Sequence, residues 1–212
     1  MLPPTGRGEL FALKKGSKMA ELLEVKNLSV SFDTPDGEAE AVRDVSFFVK
    51  KGETLAIVGE SGCGKSVLCR SIMKLLPKTA RIKSGSVLLD GKEITGLTEK
   101  EMQKLRGNSF SMVFQDPMTT LNPAMTVGAQ IAEAVIIHRP EFSREEVRRR
   151  VWELMELVGI DHPKERAAQY PWNFSGGMRQ RSVLAIALAS EPAVLLADEP
   201  TTALDVTIQA QI

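Results

Sequence analysis

Short apolar runs separated by turn residues dominate the chain between residues 20 and 60. Residues 22–25, 28–32 and 45–49 have the length and the composition of strands. Residues 34–37 combine proline with glycine, which favours a tight turn between the second and third runs. The run 54–58 is uninterrupted by charge, which predicts a strand buried on both faces, as in a parallel sheet covered by helices.

Helical spacing replaces the strand pattern in the middle of the chain. Apolar positions recur every three to four residues over 127–137 and 143–158. Ser143 and Glu146 form a capping box that opens the second of these helices. The pattern therefore predicts a helical subdomain at about 99–175.

A further helix at 176–189 leads to a second uninterrupted apolar strand at 194–197. Because buried strands alternate with helices, the sequence predicts an α/β fold, with a mostly parallel sheet, flanking helices, an N-terminal antiparallel β part and the helical insertion. Residues 1–19 are rich in proline, glycine and basic residues, and we expect a disordered extension there. One domain is predicted over 20–212.

Composition narrows the functional classes. The chain has 27 basic and 27 acidic residues, a balance that argues against a nucleic-acid partner, because phosphate contacts need a basic excess. The apolar run 183–189 is far shorter than the roughly 20 residues that cross a bilayer, so we expect any membrane role to come through a partner. Two cysteines, Cys63 and Cys69, exclude a disulfide framework and suit a reducing cytoplasm.

The loop after residues 54–58 carries a phosphate-binding pattern, G-x-x-x-x-G-K-S. Glycines let the backbone wrap around an anion, and the helix N-terminus that follows adds amides and a favourable dipole. Lys65 is expected to reach the β- and γ-phosphates and Ser66 to ligate Mg²⁺. A glycine-rich turn with an exposed lysine is the weaker alternative. The loop residues are Gly59, Glu60, Ser61, Gly62, Cys63, Gly64, Lys65 and Ser66, with Val67 next in the helix.

The strand at 194–197 delivers two adjacent carboxylates, Asp198 and Glu199. Acidic groups at the end of an apolar strand are costly unless a cation or a water uses them. We expect Asp198 to hold Mg²⁺ through its hydration shell and Glu199 to polarise the attacking water. Solubility of the strand end is the alternative explanation.

Three further segments carry a family resemblance. Residues 174–181, read FSGGMRQR, resemble the signature motif of ABC-type ATPases, and residues 203–205 resemble their D-loop. Residues 113–123, read VFQDPMTTLNP, look like the glutamine loop of oligopeptide and dipeptide ABC importer subunits. The chain thus resembles an ABC-type ATPase of the P-loop NTPase class, with P-loop, glutamine loop, signature and acidic strand in that family's order.

The resemblance implies roles for particular residues. Gln115 would ligate the metal, assist catalysis and report the nucleotide state, and Asp205 would lie in the D-loop. Phe32 stands where the family places an aromatic that stacks on adenine, with an ordinary strand core residue as the alternative. The family pairs two subunits head to tail, so that each signature closes on the other's ATP. The signature residues here are Ser175, Gly176, Gly177 and Met178.

The function implied is that of an ATP-hydrolysing subunit, with ATP and Mg²⁺, that powers solute import. Its expected partners are a second ATP-binding subunit, identical or related, integral membrane permease subunits and, indirectly, a solute-binding protein. Its expected place is the cytoplasmic face of the inner membrane, as a peripheral protein. The alternatives are a soluble ABC-type ATPase that acts on nucleic acid or ribosomes, and a nucleotide-binding module without turnover.

Two departures from the family pattern change the expectation. Residues 172–174 read Trp-Asn-Phe where the importer branch usually has His-Glu-Leu, which puts some partner contacts in doubt. The family's switch histidine follows the D-loop, whereas His138 and His162 precede the signature and the chain ends at Ile212. We therefore expect a C-terminally incomplete subunit that by itself binds Mg-ATP weakly and hydrolyses it poorly.

Overall fold

The computed structural model of the chain describes residues 11–14, 21–114 and 120–200. It divides into two compact units, Met1–Gln103 and Lys104–Ile212. The elements of the first are β1 (Phe11–Lys14), β2 (Glu21–Thr34), β3 (Gly37–Lys50), β4 (Leu55–Val58), α1 (Lys65–Ile72), β5 (Ala80–Leu89), β6 (Lys92–Glu93) and, at its end, α2 (Glu99–Leu105).

Four strands of the first unit form an antiparallel sheet in the order β3-β2-β5-β6. The predicted turn closes the β2–β3 hairpin, where the Thr34 hydroxyl donates to the carbonyl oxygen of Gly37 at 2.6 Å. Helix α1 packs against β2 and β3 and buries Leu68 and Ile72. It ends at Ile72, and Lys74 follows with a left-handed φ of 51°. The antiparallel part is as predicted.

Strand β2 is continuous where the sequence predicts two strands, because a register shift absorbs the polar residues between them. Asn27 lies at the shift with φ of 46°, and its side-chain amide donates to Asp44 on β3 at 2.8 Å. On the other side of β2, Gly85 of β5 has φ of 91°. A Cβ on Gly85 would overlap the carbonyl oxygens of Lys26 and Asn27. The irregularity is therefore matched across three strands.

Strand β4 pairs antiparallel with β1, with Ala56 opposite Leu13. Side chains of β4 alternate between half-buried and exposed, and Val58 is 43% exposed. The expectation of burial on both faces is therefore wrong for this strand, because a two-stranded ribbon covers less of it than a wider layered sheet. Strand β1 also places Phe11–Lys14 in regular structure within the extension predicted to be disordered. The rest of that extension lies outside the described residues.

The second unit contains a parallel strand pair and a group of helices. Strands β7 (Phe110–Val113) and β8 (Val194–Ala197) pair in parallel, with Phe110 opposite Val194 and Val113 opposite Ala197. The elements are β7 (Phe110–Val113), α3 (Val127–His138), α4 (Arg144–Leu157), α5 (Pro163–Arg166), a 3₁₀ turn (Pro171–Asn173), α6 (Gly176–Leu188) and β8 (Val194–Ala197).

Helices α3, α4 and α6 surround one apolar core, in which Ile131, Leu154 and Ala185 are fully buried. Helix α4 begins with the predicted capping box. The Ser143 hydroxyl accepts from the Glu146 backbone amide, and the Glu146 carboxylate accepts from the Ser143 backbone amide. Strand β7 is the element that the helical pattern misses, because its four residues are all buried and too few to show a period. No helix of the described residues has both the length and the apolar character needed to cross a membrane.

We expect Gly85→Ala to lower the free energy of unfolding by more than about 2 kcal/mol, because it adds backbone overlap to left-handed strain. Gly91→Ala, at φ of 74° in open space, carries the strain alone and is expected to cost about 1 kcal/mol. Gly96→Ala meets open space without a positive φ and serves as the near-neutral control. Urea unfolding ranks the stabilities of the three variants. Equal losses of unfolding free energy for Gly85→Ala and Gly96→Ala would contradict the close approach of Gly85 to the irregular part of β2.

Candidate functional site

The loop between β4 and α1 is shaped by glycines that no other residue replaces without strain. Gly62 and Gly64 have φ values of 80° and 100°, and Gly64 is the N-cap of α1. A Cβ on Gly64 would overlap the carbonyl oxygen of Ala41 in β3. The helix therefore starts directly against β3, and no side-chain hydrogen bond caps it in this described segment. Such a start leaves the first-turn amides directed at the loop.

The ammonium group of Lys65 lies over the loop. Its Nζ donates to the carbonyl oxygens of Gly59 at 3.0 Å and Glu60 at 2.9 Å, and it is 4.0 Å from the Cys63 Sγ. The Glu60 carbonyl also accepts from the Cys63 amide at 3.3 Å. The result is a compact loop with a cation at its centre and exposed backbone at Ser61, which is the chemistry of an anion cradle.

Phe32 lies on β2 near the same end of the first unit. Its Cα partners are Ala39 of β3 and Ala80 of β5, and Ala41, two residues beyond Ala39, is the residue that Gly64 approaches. The Phe32 side chain is half-buried rather than part of the fully buried core. The sheet thus places an aromatic ring a short way along β3 from the loop.

Charged residues that the sequence reasoning missed flank Phe32. Arg81 of β5 donates to both carboxylate oxygens of Asp33, at 2.7 and 2.8 Å, and to Glu38 at 3.2 Å. The nearby Ser31 hydroxyl and then the Lys83 ammonium, which donates to Glu38 at 3.3 Å, lower the pKa of the Glu38 carboxyl. The sequence signal for this group is the alternation of charged and apolar residues on β5, which places Arg81 and Lys83 on the same side of the strand. Exposed ion pairs of this kind add order more than stability.

The two adjacent carboxylates, Asp198 and Glu199, follow β8 at the carboxyl ends of the parallel strands β7 and β8. The backbone amide of Asp198 donates to the Val113 carbonyl at 2.9 Å, which extends the strand pairing by one residue. The Asp198 side chain is only 3% exposed, whereas Glu199 is half-buried. Glu199 has φ of 48°, a left-handed conformation that costs a non-glycine residue roughly 1–2 kcal/mol. The two residues, although adjacent, therefore differ in burial and in backbone conformation.

Two predicted residues lie outside the described part of the chain. Gln115 follows Phe114, the first residue after β7, and is not among the described residues. Asp205 of the D-loop motif is also outside them. Their roles stay predictions.

The motif at 174–181 forms the start of α6. Ser175 is the N-cap, and its hydroxyl accepts from the Met178 amide at 3.3 Å. Gly177 is buried, but Gly176 is exposed, and a Cβ there would meet nothing within 4 Å. Packing among the described residues therefore gives no reason for glycine at 176. A bare helix tip of this kind allows a group from outside the chain to approach the backbone closely.

The oxygen donors present suit magnesium. Mg²⁺ prefers hard oxygen ligands and is commonly held by one or two protein groups together with substrate phosphates. The Ser66 hydroxyl and the Asp198 carboxylate are donors of that type. Across the described residues, no cluster of three or more His, Cys, Asp or Glu side chains is placed to hold a metal by itself.

Comparison with known proteins identifies relatives over most of the chain. A family model described as ABC transporter matches residues 42–202. The oligopeptide transport ATP-binding protein OppD of Bacillus subtilis is 57% identical over 196 residues, which cover 92% of this chain and 54% of that protein. The dipeptide transport ATP-binding protein DppD of Bacillus subtilis is 56% identical over 92% of this chain and 58% of its own length. The chain therefore spans about half the length of these curated relatives.

Solved structures agree on the fold. The dimeric ATP-binding cassette MJ0796, in a post-hydrolysis state bound to ADP and Pi, superposes with a TM-score of 0.77 at 28% identity. The alignment covers 90% of this chain and 79% of that one. The cbiO1 protein of Clostridium perfringens, part of the ABC transporter complex cbiONQ, has a TM-score of 0.72 over 90% of this chain and 70% of that one. The predicted α/β fold of P-loop NTPase type is confirmed.

Substitutions at Ser175 and Gly176 should change the free energy of unfolding in different ways. Ser175→Ala removes the bond to the Met178 amide and is expected to cost about 1 kcal/mol of unfolding free energy. Gly176→Ala fills open space and replaces glycine by a better helix former, so we expect no loss and a gain of up to about 1 kcal/mol. Thermal and urea unfolding measure both. Clear destabilisation by Gly176→Ala would show that the glycine serves the fold.

Proposed function

The chain belongs to the ABC transporter family, and on that premise we propose that it is an ATP-hydrolysing subunit that powers solute import, with oligopeptides or dipeptides as the cargo. The observation that carries the proposal is the glycine cradle at Gly64, where α1 starts against β3 with Lys65 over the loop. The names of the relatives, oligopeptide and dipeptide transport ATP-binding proteins, support the choice of cargo.

The P-loop residues bind the triphosphate. Backbone amides along Gly59–Gly64 and at the start of α1, through Val67, surround the phosphate oxygens. Lys65 exchanges its two loop carbonyls for oxygens of the β- and γ-phosphates, which are stronger acceptors because they carry full charge. Phe32 stacks on the adenine, and its partial exposure on β2 supports that role.

Ser66, Asp198 and Gln115 hold Mg²⁺, which neutralises phosphate charge when it is bound. Burial of Asp198 favours a fixed carboxylate for this purpose. Glu199 orients the attacking water and accepts its proton, and the left-handed backbone at this residue sets it apart from Asp198. Gln115 positions the same water. Each of these residues acts on the γ-phosphate held by the loop.

A second ATP-binding subunit, identical or related, completes the site. The residues Ser175, Gly176, Gly177 and Met178 cover the partner's γ-phosphate from the opposite side, and Asp205 contributes to the same contact. The open space around Gly176 supports this role, because no neighbour in the described part of the chain requires a glycine there. The dimeric state of the structural neighbour MJ0796 supports it independently.

Transport requires further partners. We assign the integral membrane permease subunits as the direct partner of the helical part of the second unit, and a solute-binding protein as an indirect one. The chain then works as a peripheral protein on the cytoplasmic face of the inner membrane. The names of the relatives support this assignment.

The nucleotide-binding role is tested by Lys65→Ala and Glu199→Gln in the chain. We expect Lys65→Ala to abolish binding of ATP, because the loop loses its cation. Glu199→Gln should leave the ATP affinity unchanged and lower single-turnover hydrolysis by at least about 100-fold. Calorimetry and release of phosphate measure the two effects. Lys51→Ala removes an exposed lysine ahead of the same strand and is the matched control. Normal ATP binding by Lys65→Ala would overturn the proposal.

Action of the signature in trans is tested by Gly176→Ala. We expect each chain to bind ATP as before, while ATP-dependent dimerisation weakens by about tenfold or more, because the added methyl keeps the helix tip away from the partner's phosphate. Sedimentation with and without Mg-ATP measures the dimer. Gly96→Ala, also in open space, is the control. Undiminished dimerisation of Gly176→Ala would contradict the role in trans.

A further inference from the structure

Two large aromatic side chains are exposed on the segment that leads into α6. Tyr170 is 37% exposed and Trp172 is 57% exposed. Their rings are stacked with the centroids 4.4 Å apart and an angle of 5° between the planes. The two rings therefore form one stacked unit, the aromatic pair, of which Trp172 is the more exposed member.

The aromatic pair is fixed to α6. The Asn173 Oδ1 accepts from the Tyr170 amide at 3.3 Å, and the Asn173 amide donates back to the Tyr170 carbonyl at 3.0 Å. Arg179, in the first turns of α6, donates its Nε–H to the Pro171 carbonyl at 2.8 Å. Phe174, between the pair and the helix, is buried in the core of the unit. The aromatic pair and the tip of α6 are therefore parts of one rigid piece.

Such a surface has the properties of a protein contact. Tyrosine and tryptophan are enriched in the central parts of interfaces, where their burial dominates the binding energy. A stacked pair that is already held in place loses little conformational entropy when it is covered. Exposed in the single chain, the same rings contribute little to its core. The aromatic pair is therefore better suited to an interface with another protein surface than to stabilising the single chain.

We propose that the aromatic pair is a contact between two copies of this chain, with Trp172 packed against the second copy beside the nucleotide that the tip of α6 covers. The inference rests on the proposed function, in which Ser175 and Gly176 close on the partner's phosphate. Trp172 is three residues from Ser175, at most about 10 Å along the chain. A second copy that closes on the helix tip therefore comes within reach of the Trp172 ring, so the second copy is the occupant that the position of the ring favours.

Trp172→Ala tests the contact in a Glu199→Gln background, where hydrolysis does not deplete ATP. We expect ATP-dependent dimerisation, measured by sedimentation, to weaken about tenfold or more, as for an aromatic interface anchor. The ATP affinity of the single chain should stay unchanged. Ile137→Ala is the matched control, because it removes an apolar side chain that is 65% exposed on α3, away from the helix tip in sequence.

Fluorescence provides a second readout that does not depend on a destabilising substitution at 172. The chain has two tryptophans, so Trp152→Phe leaves Trp172 as the sole emitter. We expect its emission to shift to shorter wavelength with Mg-ATP and not with Mg-ADP. Failure of the unsubstituted chain to bind ATP would reject the proposed function and this contact with it, whereas ATP binding without dimerisation would reject the contact between two copies. Dimerisation that Trp172→Ala leaves intact, or an emission shift that appears only with permease-containing membranes, would overturn this contact alone.

Discussion

The close approach of Gly64 to the carbonyl oxygen of Ala41 is the constraint on which the chemistry of the first unit depends. It allows α1 to begin directly against β3, at a φ that only glycine adopts without strain. The backbone then folds tightly enough for Lys65 to reach two carbonyls of its own loop. The shape of this loop is therefore a consequence of how a helix meets a strand, and the Lys65 side chain completes it.

The second unit uses one helix for two purposes. Along most of its length α6 is packed, with Ala185 in the core shared with α3 and α4 and Val183 buried against Val113 of β7 and Leu121. At its N-terminus Ser175 caps the backbone and Gly176 leaves it open. Because the buried part fixes the direction of the helix, the exposed tip is held rigidly for whatever approaches it. Packing of the buried part thus fixes the position of the helix tip, and the absence of a side chain at Gly176 leaves the backbone of that tip accessible.

Burial distinguishes the two carboxylates that follow β8. Asp198 continues the pairing with β7 through its amide and lies in the interior, while Glu199 turns away with a left-handed backbone. Two carboxylates that are adjacent in sequence thus differ both in burial and in backbone conformation. This division suits one fixed ligand and one group that meets water, and the strain at Glu199 is supported by the strand pairing before it.

The sequence by itself determined the local chemistry: the glycine and lysine pattern of the loop, the capping box at Ser143, the cap at Ser175 and the order of the elements. These follow from short-range rules, since turn, cap and phosphate-loop residues act within a few positions. The tertiary structure alone decided the rest. Strand β7 has too few residues to show a period, and the partners of Gly64, Gly85 and Arg81 are distant in sequence. Exposure of Gly176 and Trp172 likewise depends on which surfaces the fold covers, and no pattern along the chain records that.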